Sequence, residues 1–213
     1  MATDPVFADP LLTTAGSHVS PEHRSSNLRL GARLLVAADT FVFLGFLFAY
    51  LYLRSLNQHG LWHPPHTSPS LALGIVTLVT MVGSAAAFVV GLRALRAGKP
   101  REWRAGATGA LALLVVALVV QGWQLFDPGF SPYHGGAYGS VFVGFTATLF
   151  AHLIGATYWL ETVVVSSGSF HRERAGVAQP SRLYEPTASA YGTFALFLAG
   201  VEVVAFVLIY IAS

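Results

Sequence analysis

The sequence predicts an all-α integral membrane protein, a bundle of five transmembrane helices, and three observations carry that expectation. The chain is 54% hydrophobic and only 10% charged, a balance outside the range of soluble domains. Its apolar residues gather into five runs, each long enough at 1.5 Å per residue to cross a hydrocarbon core of about 30 Å. Between the runs lie short segments rich in Pro, Gly or charge. A chain of 213 residues accommodates such a bundle and leaves no room for a separate soluble enzyme domain. It contains no cysteine, which removes disulfides, thiolate metal sites and iron–sulfur clusters.

Residues 1–27 read as a polar tail, rich in Pro, Ser, Thr and His and without the apolar core of a signal peptide. The membrane domain is expected over 28–213, with spans near 30–53, 70–92, 105–125, 138–165 and 188–211. The first span, Leu30 to Leu53, lies between Arg29 and Arg54 and holds Asp39 roughly 14 Å from its start. A carboxylate at that depth costs at least about 2.5 to 3.5 kcal/mol. Asp39 is therefore expected to face other helices, a partner subunit or a wet cavity. Pro64 and Pro65 make the following segment a loop. The second span is small-sided, and Gly83, Ser84, Ala87 and Gly91 invite close helix–helix and subunit packing.

Arg93 to Arg104 carries five basic residues with Gly98 and Pro100 as breakers, and reads as a short charged turn. The third span ends in Gln121, Trp123 and Gln124, and the Gly- and Pro-rich loop over 126–137 has no Lys or Arg. The fourth span holds His152 and Glu161, and the segment 166–187 after it contains Arg172, Arg174 and Arg182. The fifth holds Glu202. Trp62, Trp103, Trp123 and Tyr138 stand near span ends, where an interfacial aromatic belt is expected. With the N-terminus cytoplasmic and the C-terminus outside, all the Lys and Arg residues except Arg54 fall on the inner side, as the positive-inside rule requires.

Asp39, Gln121, His152 and Glu202 fall at membrane depth on four different helices, and convergence on one interior is the economical arrangement. They read either as polar glue between helices or as proton-linked groups. A haem between helices needs a second membrane-depth histidine, and the sequence places the others outside the spans. His59, His63, His66 and His134 read as polar loop residues, because the Pro64-Pro65 pair denies them helical spacing for a metal. No catalytic residue, metal or cofactor is expected in this chain. The net charge of +2, with its basic residues beside membrane spans, gives no nucleic-acid patch.

The order of these features resembles subunit III of the haem-copper respiratory oxidases, in a divergent five-helix bacterial form lacking the two N-terminal helices of the longer version. The acid followed by FVFLGFLFAYLYLR is similar to the family's acid-bearing helix. The LWHPP loop with its small-residue helix, Gln121, the segment Ala137-Tyr138-Gly139-Ser140-Val141-Phe142 leading to His152 and Gly155, and the last helix around Glu202 also match. Asp39 stands where the family usually has Glu, Leu149 replaces the first of two histidines, and Gln124 replaces a Glu. The resemblance implies a non-redox subunit of a cytochrome c oxidase-type enzyme in a bacterial plasma membrane. It would pack on catalytic subunit I and on subunit II, within a larger respiratory supercomplex in some settings, with haem and copper held by the partner. It also implies bound phospholipid and support of proton uptake and oxygen reduction, with Asp39, His152, Glu202 and Gln121 as the proton-linked or lipid-cleft residues. Alternatives are an accessory subunit of a nitric oxide reductase or quinol oxidase and, from another class, an independent proton-coupled transporter.

Overall fold

The structure is a computed structural model that describes residues 21–57, 62–172 and 184–212. It is all-helical over those residues: α1 Pro21–Ser55, α2 Leu71–Arg96, α3 Pro100–Phe126, α4 Gly136–Arg172 and α5 Tyr184–Phe206. A 3₁₀ turn, Pro132–His134, precedes α4, and a π turn, Val207–Ile211, follows α5. All five helices are long and apolar enough to cross a membrane.

The helices overrun the predicted spans. The first begins at Pro21, so residues 21–27, expected as part of a polar tail, are its opening turns. Nothing between Pro21 and the apolar run breaks a helix, and extending an existing helix gains one hydrogen bond per residue. The rest of that tail, with its His18, lies outside the described residues. The charged turn expected over Arg93 to Arg104 shrinks to residues 97–99 between α2 and α3. There Gly98 takes φ +73°, its N–H donates to Leu95 O, and the Lys99 N–H donates to Ala94 O. This pair of bonds is a Schellman cap that satisfies the last carbonyls of α2. Pro100 then opens α3, where its missing N–H costs nothing.

α2 and α3 form a tight hairpin. Ser84 Oγ donates to Ala110 O at 2.8 Å, and the backbones meet at Gly91 and Gly106. A Cβ built at Gly106 would stand 2.7 Å from Gly91 Cα and 2.9 Å from Ala87 O. Gly83, Ser84, Ala87 and Gly91 thus serve α3 of the same chain, with a Cβ at Gly83 reaching ordinary contact with Leu113. α4 packs on α3, while α5 lies against α2, α1 and α4. α1 sits at the edge against α5 and α4, with Phe41 and Phe48 turned outward. The core runs through Phe88, Leu149, Leu153, Leu160 and Tyr191.

Of the four aromatic residues expected in an interfacial belt, only Trp123 is on the surface, at 62% exposed. Trp62, Trp103 and Tyr138 are buried. For the latter two the polar atoms explain why: Trp103 Nε1 donates to Tyr184 OH at 3.0 Å, and Tyr138 OH donates to Ile209 O at 3.1 Å, whereas Trp62 Nε1 is buried without a hydrogen-bond partner among the described residues. A buried ring with a satisfied polar tip joins helices at their ends.

Replacing Gly106 by Ala forces backbone apart, and thermal unfolding of the purified chain is expected to show a loss of about 1–3 kcal/mol. At Gly109, where nothing lies within 4 Å, the same change leaves stability unchanged or slightly raised.

Candidate functional site

The four membrane-depth polar residues do not converge on one interior. They form two groups. The first joins α1 to α4: Asp39 Oδ1 lies 3.5 Å from His152 Nε2. His152 Nδ1 sits 2.7 Å from Thr148 O, a carbonyl that can only accept, so Nδ1 carries a hydrogen. That fixes the other nitrogen as the one that faces the acid. At 3.5 Å the two form an ion pair when the imidazole is protonated. Both side chains are largely buried.

The surroundings of the pair are apolar. The Phe43 ring, one helical turn beyond Asp39 on α1, is 5.1 Å from the imidazole and packs against Phe145 and Phe197. Asp39 Oδ2 is buried and has no hydrogen-bond partner among the described residues.

The second group lies beyond that aromatic wall. Gln121 and Gln124 of α3, Thr146 of α4, and Glu202 of α5 line one small cavity with Tyr210 of the π turn. All but Tyr210 are buried. Tyr210 OH donates to Gln124 Oε1 at 3.4 Å. Phe145 lines this cavity too and, through its contact with Phe43, separates the two groups. The sequence reading singled out Gln121 and Glu202 but gave no role to Gln124, Thr146 or Tyr210. Gln124 was within reach of it, since residues three apart share a helix face.

The loop between α1 and α2 is described through residue 57 and again from residue 62 onward. Trp62 lies edge-on to both Tyr50 and Tyr138, its carbonyl accepts from Tyr138 N–H at 3.0 Å, and His63 stacks on Tyr138 at 4.2 Å. His59 lies outside the described residues. At the opposite end Glu185 of α5 pairs with Arg96 of α2 at 2.9 Å and Arg29 of α1 at 3.6 Å.

No protein-family profile matches the chain, and no curated protein matches it.

Because Asp39 and His152 are in contact, their contributions are coupled. A double-mutant cycle with Asp39→Asn and His152→Gln, read by thermal unfolding, is expected to return an interaction energy of about 0.5–3 kcal/mol; additive effects would mean that the two side chains act separately.

Proposed function

We propose that the chain is an accessory subunit of a respiratory haem-copper oxidase in a bacterial plasma membrane, of the subunit III type, with its N-terminus cytoplasmic and its C-terminus outside. The observation that carries this reading is the way the segments resembling that family pack on one another. The LWHPP loop accepts a backbone hydrogen bond from Tyr138 of the AYGS segment. Tyr138 in turn bonds to the last helix, and the acid of the first helix meets the histidine of the fourth. Parts scattered through the sequence thus make one connected scaffold.

On this reading the chain performs no redox chemistry. Haem and copper belong to the catalytic subunit, and this bundle stabilises that partner and supports proton uptake from one side. The Asp39–His152 pair is its proton-linked element, because a pair that holds one proton changes net charge when that proton leaves. The basic ends of α1 and α2 support the proposed orientation, since Arg29, Arg33 and Arg96 gather at the end of the bundle assigned to the cytoplasm.

The same end supports a phospholipid site. Arg29, Arg33 and Arg96 line a polar pocket with Ser189 and Thr193. Beside it an apolar groove is lined by Leu28, Gly31, Ala32, Leu35 and Trp159. A cationic pocket at the membrane surface, next to a groove that admits an acyl chain, suits an anionic phospholipid.

Purification in mild detergent through a tag on this chain is expected to bring down a multispan partner and haem absorbance. A colourless, solitary chain would overturn the assignment. An associated nitric oxide reductase or quinol oxidase core would keep the fold and change the enzyme. In the purified complex, Asp39→Ala is expected to leave haem content intact while shortening the time to inactivation during turnover. The double variant Arg29→Ala, Arg33→Ala is expected to lose co-purifying anionic phospholipid, as measured by lipid mass spectrometry, while keeping zwitterionic lipid.

A further inference from the structure

The chamber around Glu202 is a small space inside an apolar bundle where polar side chains meet, and its parts fit a ligand smaller than any lipid. Its volume is about 10 Å³, about the room one water molecule requires. Four buried polar side chains from three helices, Gln121, Gln124, Thr146 and Glu202, look into it. That number of partners suits a buried water, which makes two to four hydrogen bonds.

The decisive atom is Gln124 Nε2. The side chain is 4% exposed, its carbonyl oxygen accepts from Tyr210, and its amide nitrogen has no partner among the described residues. Turning the amide over would only exchange the roles of its two ends, because a single tyrosine hydroxyl stands beside it. A buried amide left in that state costs about 1–3 kcal/mol. Glu202 has the complementary need, a carboxyl group deep in the bundle that requires a polar neighbour.

Tyr210 lines the space. Its ring lies over Gly74 of α2, where a Cβ would collide with it. The π turn sets the position of that ring: Ala212 N–H bonds five residues back to Val207 O at 2.8 Å. Residues eight apart in a regular α-helix differ by about 80° around the axis, and the wider winding of a π turn lets Tyr210 and Glu202 address the same cavity.

We propose that Glu202, Gln121, Gln124 and Thr146 hold one internal water molecule in the space that Tyr210 also lines. The water accepts from the Gln124 amide and bonds to the Glu202 carboxyl group, which gives that acid its neighbour without a cation. The assignment is independent of the enzyme to which the chain belongs.

Radiolytic labelling of the full-length chain in ¹⁸O-water tests it, because oxygen from a bound water is transferred to the side chains that touch it. Phe142 lines the chamber and is closed to bulk solvent at 2% exposed; Phe88, at 0%, lies in the apolar core and serves as the control. Label is expected at Phe142 and not at Phe88, and Gln124→Met is expected to abolish it and lower the melting temperature. Phe142 labelled no more than Phe88 would overturn the proposal, as would label that survives in Gln124→Met. A Gln124→Met chain that melts at or above the wild-type temperature would do the same, since relieving a dry, unpartnered amide stabilises.

Discussion

Three tyrosine hydroxyls hold this bundle together at its ends, each donating to a backbone carbonyl of another helix. Tyr50 of α1 donates to Leu208 O at 2.7 Å, Tyr138 of α4 to Ile209 O, and Tyr184 of α5 to Val163 O of α4 at 3.1 Å. The first two acceptors belong to the π turn that follows α5, and carbonyls in the last turn of a helix lack the intrahelical partners of its interior. In lipid there is little apolar drive between helices, so hydrogen bonds and close backbone approach carry the association. The tyrosines supply the former and the glycines of α2 and α3 the latter. The rest of the structure depends on both, because only with α5 anchored do Glu202 and Tyr210 meet Gln121 and Gln124.

The two polar groups sit in different mechanical settings. Glu202 lies in the inner body, enclosed by α3, α4 and the π turn. Asp39 is carried by the edge helix and reaches His152 across an interface lined with Phe43. A displacement of α1 would therefore open the acid–histidine pair and also release the Tyr50 anchor on the π turn that borders the Glu202 chamber. The apolar groove between α1 and α5, lined by Phe43, Phe46, Leu47 and Val201 with a volume of about 380 Å³, lies along the same seam.

The number of helices and their approximate limits were legible from hydropathy, because an apolar run of this length has few other uses. Their extent was not: Pro21 and Pro100 open helices rather than break them, and Gly98 reduces a charged segment to a three-residue cap. The aromatic residues misled for a physical reason. Tryptophan and tyrosine suit a headgroup layer and a hydrogen-bonded helix end equally well, and composition does not say which side of a helix they occupy. The division of the polar residues into two groups was hidden by the same ambiguity, since helices that are apolar all round have no stripe to give their rotation. Gln121 and Gln124 could be placed on one face by spacing, whereas the alignment of Glu202 with Tyr210 depends on a π turn that no pattern announces.

The cap at Gly98 also orders assembly in time. With three residues between them, α2 and α3 can close their glycine contact while the rest of the chain is still being made, since contacts near in sequence form first. α1 has no such neighbour: its hydroxyl anchor, Tyr50, waits for a carbonyl 158 residues away. α1 can meet α4 through Asp39 and His152 once α4 is made, but its hydroxyl anchor closes only when α5 arrives.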